Sequence, residues 1–262
     1  MASDERFTDR TVLTTEAYAD PTRLVTRYSL YGYRRPQFDL PAATAELLHD
    51  VPGPIVDVGC GPGRHVAALR ADRPQRTVVA MDLSPGMAKV AGPPAAVADI
   101  TALPLADASC GGLLAMHMLY HVPDPEAGVR ELARAKAPGG TVLIATNAED
   151  DKEALSTVCR AAVADVPEAA GWRRDVSRRF GLTMAEAVAR RYFASVRLLD
   201  YAGDIVVADP EPVVAFVESL GAWAPQAHLP AVLDGIRRRV VEKIEKDGEF
   251  RIKTHIGILV CR

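Results

Sequence analysis

The chain has 262 residues, 48% hydrophobic and 25% charged, with a formal net charge of −3. That length suits one generous globular domain or a domain carrying a lid, and the near-balanced charge gives no general pull towards nucleic acid or an anionic membrane. No apolar run approaches a membrane span, the opening MASDERFTDR lacks the apolar core of a secretion signal, and Cys60, Cys110, Cys159 and Cys261 form no CxxC pair, which argues against a disulfide framework and a zinc site. The expectation is a cytoplasmic, reduced protein.

In chain order, residues 1–14 read as a polar tail. Residues 15–50 carry helical periodicity interrupted by Pro21 and Pro36, with Tyr18, Tyr28, Tyr31 and Tyr33 beside Arg34 and Arg35. Pro41 followed by AATAELLHD reads as a helix with proline in its first turn, stopped by Val51-Pro52-Gly53-Pro54. The organising stretch is residues 54–65, PIVDVGCGPGRH, in which an apolar run breaks into Gly59, Gly61 and Gly63 before a helix opens. A buried strand that feeds a glycine-rich turn and then a helix brings backbone amides close to a nucleotide-like ligand. Glycine is needed there because a side chain would hold the ligand off or clash where φ turns positive.

Strands and helices then alternate. Residues 77–81 form a strand closing on Asp82, and Ser84-Pro85 supplies a helix cap and a first-turn proline. Residues 95–98 form a short strand closing on Asp99, and residues 112–116 run into His117. Residues 126–136 are helical, and Pro138-Gly139-Gly140 turns into a strand over 141–145. This alternation implies a parallel sheet covered on both faces. Past Asn147 the sheet pattern stops. Residues 150–165 and 184–192 read as amphipathic helices, with Trp172, Phe180 and Phe193 between and after them. Residues 196–207 follow as one strand or a hairpin, 212–220 and 231–246 as helices, and 250–261 as the closing strand. The expected organisation is a helical cap over 1–50, a core over 51–147, a helical lid over 148–195 and completion of the sheet over 196–262, in one structural domain.

Two acids carry the chemistry of recognition. Asp82 lies about 20 residues past the glycine turn at a strand end, where a carboxylate accepts hydrogen bonds from both hydroxyls of a ribose. Asp99, at the next strand end, is placed to accept from an exocyclic adenine amine. No lysine follows the glycines, so the turn is not a phosphate-cradling P-loop, and GxGxG followed by Arg64 departs from the GxGxxG of dinucleotide turns. His117 and His121 stand four apart, which on a helix would share one face; a metal needs a third ligand, none is visible, and no metal is expected. Histidine, with an ordinary pKa of about 6.5, suits proton transfer, so His117, His121 and the adjacent Tyr120 are the catalytic candidates. The arginine groups at 173–174, 178–179 and 237–239 read as solvated helix faces.

The successive stretches VDVGCGPG, VVAMDLSPGM, VADITALPLADAS, LLAMHMLYHVPDP and LARAKAPGGTVLI resemble the motifs of the class I S-adenosylmethionine-dependent methyltransferases, closely over 50–147 and loosely at the ending THIGILVCR. Within that superfamily the chain is most similar to the small-molecule branch, of the ubiquinone/menaquinone C-methyltransferase type. The resemblance implies a Rossmann-like, seven-stranded, mostly parallel α/β sheet flanked by helices, with S-adenosylmethionine as cofactor. It further implies methyl transfer to an O, N or C atom of a small metabolite of secondary metabolism, by a monomer or homodimer with no nucleic-acid or membrane partner. In that architecture the insertion and the N-terminal helices would enclose the acceptor.

Carried over by position, the resemblance places Gly59, Cys60, Gly61 and Gly63 along the methionine end of the cofactor and Asp82 on its ribose. Leu83 and Met87 would pack the adenine, and Asp99 and the Ile100 amide would read its edge. Met116 and His117 would lie beside the sulfonium, with Arg34 or Arg35 on the methionine carboxylate. Apart from the resemblance, Tyr18, Tyr28, Tyr31 and Asn147 are candidates to face the acceptor, the tyrosine cluster reading either as packing or as a substrate cage. Many relatives carry Phe-Asp where this chain has Cys110-Gly111, which reads as a packing change. Histidine stands where the amino-modifying DNA branch has asparagine, which argues against nucleobase methylation by that route. An RNA-modifying methyltransferase, a nicotinamide-dependent oxidoreductase on a similar sheet and a non-catalytic cofactor-binding protein are the alternatives.

Overall fold

A computed structural model of the chain describes residues 3–170, 172, 179–224 and 226–262, so Arg173, Arg174 and Arg178 lie outside the described residues. The chain opens with α1 (Ser3–Arg6), α2 (Arg10–Val12), a π-turn at Leu13–Ala17, α3 (Thr22–Leu30) and β1 (Arg34–Arg35). After α4 (Leu40–Leu47) come β2 (Ile55–Val58), α5 (Arg64–Asp72), β3 (Val78–Asp82), α6 (Pro85–Ala91) and β4 (Ala95–Val97). They are followed by β5 (Cys110–Met116), α7 (Pro125–Ala135), β6 (Lys136–Asn147), α8 (Glu153–Ala164) and α9 (Leu182–Tyr192). The chain ends with β7 (Val196–Val207), α10 (Glu211–Ser219), α11 (Leu229–Asp247) and β8 (Phe250–Cys261). Among the described residues, no helix is long and apolar enough to cross a membrane.

The strand order is β1-β7-β8-β6-β5-β2-β3-β4. Strands β2 to β6 are parallel, whereas β8 pairs antiparallel with β6 and β1 antiparallel with β7. The sheet therefore has eight strands where the resemblance implies seven. The addition is β1, a two-residue edge pairing too short to leave a period-two signature. Residues 196–207 form one continuous strand rather than a hairpin.

The chain groups into two compact units. One, the parallel-sheet unit, comprises Asp39–Glu149, Ser177–Tyr201 and Ile256–Arg262. All four residues of β2 and all seven of β5 are buried, as expected of strands covered on both faces. Alternate residues feed opposite cores: Val56, Leu113, Ala115, Val142 and Ile144 on one face, and Ile55, Leu114, Leu143 and Ala145 on the other. Helix α9 belongs to the first of these cores through Leu182, Ala185, Val188 and Ala189. The expected lid over 148–195 therefore does not run as one element, because the apolar stripe of α9 is spent on the sheet.

The chain leaves β2 towards β3 on one side and later adds β5 on the other, so the turn after β2 sits at a topological switch point, where open α/β sheets bind ligands. Gly111 tightens this region. Its amide donates to the Pro54 carbonyl at 3.0 Å, and a Cβ built on it would lie 1.6 Å from the Pro52 carbonyl oxygen. The Cys110-Gly111 departure is thus a close backbone approach.

The second, helical unit comprises Met1–Phe38, Asp150–Val176 and Ala202–His255. Its opening residues are not a polar tail: Phe7, Val12 and Leu13 are buried, apolar residues too sparse in a polar context to show a helical period. Phe7 and Tyr18 pack on Trp223, with ring centroids 5.5 and 6.0 Å apart. The Arg27 guanidinium lies 5.3 Å from the Tyr18 ring centroid and 5.1 Å from that of Trp223. It donates to the Ser219 hydroxyl, the Ser219 carbonyl and the Tyr18 hydroxyl.

Replacing Gly111 with alanine is expected to cost at least about 3 kcal/mol, since neither backbone can yield to a new Cβ without moving a central strand. Urea unfolding of the two proteins reads this directly, and a midpoint unchanged from wild type would show the approach to be soft.

Candidate active site

The glycine turn is built from the strand beside it. The amides of Gly59 and Cys60 both donate to the Met81 carbonyl, at 2.7 and 3.0 Å, and the Gly61 amide donates to Asp82 Oδ2 at 2.9 Å. Gly59, Gly61 and Gly63 all have positive φ, at 71, 52 and 84°, and Gly63 is the N-cap of α5. At Gly59 a Cβ would come 2.6 Å from Met118 Cγ, so only glycine lets the chain after β5 close on the turn. Cys60 is buried in the turn, and burial followed by the fields of Asp57 and Asp82 pushes its thiol well above the ordinary range.

Asp82 is held at both oxygens, since its Oδ1 accepts from the Ser84 amide at 2.8 Å. Burial raises its pKa while the two amide bonds, from Ser84 and Gly61, pull it down. Ser84 in turn caps α6 through the Met87 amide. Asp82 thus needs its anionic form to close the turn, and its outer edge at the tip of β3 stays half-exposed. Leu83 is half-buried, but Met87 is only 1% exposed. Met87 therefore supports the floor of this region instead of lining it, because the first turn of α6 rotates it into the core. Asp99 caps its own 3-10 turn, Ile100–Ala102, with Oδ1 accepting from the Thr101 amide at 2.9 Å and hydroxyl at 2.8 Å.

Met116, 7% exposed, ends β5. His117 follows in the left-handed region, with φ of 55° and its amide donating to the Ala145 carbonyl at 2.8 Å. Non-glycine residues with such backbones are sparse and gather at functional sites. His117 and His121 do not share a helix face: His117 lies at the strand end, and His121 closes a one-turn 3-10 helix, Leu119–His121. The His121 ring instead packs edge-on against Tyr120, centroids 4.7 Å apart. Asn147, at the end of β6, has a buried Oδ1 with no hydrogen-bond partner among the described residues. No three His, Cys, Asp or Glu side chains are arranged to hold a metal ion among the described residues.

Two residues here escaped sequence reasoning. Asp57, in the middle of buried β2, is fully buried, and neither carboxylate oxygen has a hydrogen-bond partner among the described residues. Its pKa is pushed up to about 7, first by burial and then by the neighbouring Asp82 charge. A lone acid inside an apolar strand was the available signal. His65, in the first turn of α5, has a buried Nδ1 without a hydrogen-bond partner among the described residues. Burial and the adjacent His117 and Arg64 push its pKa down to about 3. It stays neutral beside His117 throughout the physiological range.

The arginines and tyrosines expected near the ligand lie in the helical unit. Arg34 is 2% exposed, and its guanidinium is used up by the Thr254 hydroxyl and the carbonyls of Pro36 and Ala202. Held by so many neutral acceptors, it is a structural pin and cannot serve a methionine carboxylate. Arg35 is exposed and donates to the Arg34 carbonyl. Tyr18 is engaged by Arg27 and Trp223 as packing, whereas Tyr28 and Tyr31 are half-buried.

A family model described as a methyltransferase domain matches residues 56–144. A malonyl-(acyl-carrier protein) O-methyltransferase of Hahella chejuensis is 30% identical over 229 residues, covering 80% of this chain and 76% of that protein. A demethylmenaquinone methyltransferase of Corynebacterium kroppenstedtii is 28% identical over 195 residues, covering 73% and 70%. In fold, the chain is similar to a phosphoethanolamine N-methyltransferase of Haemonchus contortus solved with S-adenosylhomocysteine and phosphomonomethylethanolamine. The TM-score is 0.56 at 16% identity, over 97% of this chain and 60% of that one. The sheet and its glycine turn define a Rossmann-like enzyme of the nucleoside-cofactor class. Within that class, the chain belongs to the class I S-adenosylmethionine-dependent methyltransferases. The residues present fit that cofactor: a turn whose three glycines take positive φ, an acid fixed at the neighbouring strand tip, and a buried carboxyl without a hydrogen-bond partner among the described residues.

Asp57 gives a pH prediction. The folded state keeps a proton that the unfolded state releases near its ordinary value of about 4, so this group costs stability as pH rises from about 4 to about 7. Asp57→Asn removes that cost. In urea unfolding of the ligand-free protein the variant is expected to match wild type near pH 4 and to be more stable at pH 8, by up to about 4 kcal/mol. A variant less stable than wild type at pH 8 would contradict an unpaired carboxyl.

Proposed function

We propose that the protein transfers a methyl group to a small metabolite bearing an acidic hydroxyl or carbon, with His117 as the proton acceptor. The observation that carries this reading is the buried Asp57 carboxyl two residues before the glycine turn, without a hydrogen-bond partner among the described residues, a charge that an ammonium-bearing ligand would neutralise. When bound, S-adenosylmethionine supplies a methyl already activated on a sulfonium.

The chain's own task is alignment, worth about 7 to 11 kcal/mol at best in well-oriented systems. In this reading Asp57 meets the methionine ammonium, Gly59, Cys60, Gly61 and Gly63 border the methionine chain, and Asp82 holds the ribose hydroxyls. Leu83 contacts the adenine face, and Asp99 and the Ile100 amide take its edge. Met116 borders the sulfonium. His117, on its left-handed backbone, is held where a proton leaves the acceptor, and neutral His65 puts no opposing positive charge beside it. Tyr120 and His121 shape the wall next to it, and Asn147 offers an oxygen to the acceptor. Two relatives act, by name, on malonyl-(acyl-carrier protein) and on demethylmenaquinone, which supports an acceptor that is methylated at oxygen or carbon.

Calorimetric titration with S-adenosylhomocysteine separates the roles. Asp82→Ala is expected to weaken binding by about tenfold or more, the loss of a charged hydrogen-bond acceptor. His117→Ala should hold affinity within about twofold while turnover falls by roughly 10² to 10⁴. Collapse of cofactor-product binding in His117→Ala would reassign that histidine to structure.

A further inference from the structure

A cleft of about 640 Å³ opens in the parallel-sheet unit, at the end of the strands away from the glycine turn. One wall is the segment entering β2, with Pro52 and Pro54, and the other is the segment joining α5 to β3, with Pro74, Gln75, Arg76 and Thr77. The Ile55 amide donates to the Thr77 carbonyl at 2.9 Å and ties the walls together where β2 and β3 begin. The glycine turn follows the far end of the four-residue β2, which puts about 13 Å between the cleft and the cofactor cradle. The volume is that of a small-molecule site, and the three prolines fix the backbone of its walls.

Arg76 is the residue in this cleft with an unmet demand. Its amide donates to the Arg73 carbonyl at 2.9 Å, and its Nη2 donates to the His49 carbonyl. Its Nη1 is buried and has no hydrogen-bond partner among the described residues. The charged groups facing it are Arg73, Asp72 and Asp50. Both acids are engaged elsewhere. The Asp72 oxygens lie 3.0 and 3.1 Å from His49 Nδ1, and Asp50 pairs with Arg73 at 3.6 Å. Burial, and after it the Arg73 charge, pushes Arg76 below the ordinary guanidinium range, against the pull of the two acids. A guanidinium keeps its protons in a protein, so a buried Nη1 without an acceptor carries a desolvation cost that an incoming oxygen removes. An anionic oxygen makes the stronger bond, because both partners are then charged. Gln75 and Thr77 are exposed on the same wall and carry further donors. Arg73 is held only by its exposed pair with Asp50, a contact of the weak kind.

We infer that this cleft is a second ligand site, taking the phosphate or carboxylate group of a small metabolite, with Arg76 as its anchor and Arg73, Gln75 and Thr77 beside it. NMR titration of the ¹⁵N-labelled full chain tests this with inorganic phosphate and with malonate, against sodium chloride of equal ionic strength. At least one probe is expected to shift the Gln75 side-chain and Thr77 backbone amide resonances saturably at millimolar concentration, while chloride leaves them in place. The probe that binds more tightly identifies the oxyanion as tetrahedral or planar. Arg76→Gln should weaken binding by about tenfold or more, and Arg76→Lys, which keeps the charge without the fork, by less. Gln75→Ala and Thr77→Val, at exposed positions that leave the fold intact, should each weaken it by about threefold. Three results would overturn the site: no saturable shift with either probe, shifts that chloride reproduces, or wild-type affinity in Arg76→Gln or in the Gln75→Ala, Thr77→Val double variant.

Discussion

Three backbone amides of the glycine turn hang on the end of one strand, two on the Met81 carbonyl and one on the Asp82 carboxylate. Everything at the cofactor end of the sheet follows from that attachment. Because the turn is fastened laterally, its glycines hold positive φ and let Met118 and Ala91 close against it. Because the fastening atom at Gly61 is a carboxylate, the acid that shapes the turn also sets a charge at the strand tip. Mutating Asp82 therefore perturbs the loop together with that charge, and its effects should be read as coupled.

Burial pushes both acids of the site up, and backbone amides counter it at only one of them. Asp82, at the strand tip, accepts from two amides that pull against its burial without cancelling it. Asp57, at mid-strand, receives none and is left near neutrality in its titration. Water-exposed geometry explains the first and not the second. A sheet interior tolerates an unpaired carboxyl only if it can take a proton or if a cation arrives with the ligand. The folded protein thus carries an unfavourable buried carboxyl.

How much of this could be read from residues alone varies by element. The β2 to β6 alternation, the Ser84-Pro85 cap and the acids at strand ends are local patterns, and each appears where the sequence puts it. The two-residue β1 and the buried Phe7, Val12 and Leu13 were illegible because too few residues carry any period. Arg34 was misleading in a different way. A buried arginine satisfied by the Pro36 and Ala202 carbonyls looks, in sequence, the same as one awaiting a carboxylate, and only long-range packing tells them apart. Asp57 and His65 were visible but unweighted, since their meaning depends on having no partner. Helix α9 shows the converse, an amphipathic stripe read correctly as a helix but assigned to the wrong neighbour.

Arg27 ties α3 to α10 without a counter-ion among its hydrogen-bond partners, through a hydroxyl, a carbonyl, a phenol and two ring faces. Attraction between a guanidinium and aromatic faces is a short-range matter of quadrupoles and contact, so dissolved ions have little to shield. The surface pairs elsewhere in the chain, such as Arg237 with Glu211, are of the kind that salt weakens. Raising ionic strength should therefore loosen the periphery of the helical unit before its aromatic knot, which makes that knot the last part of the unit to come undone in brine.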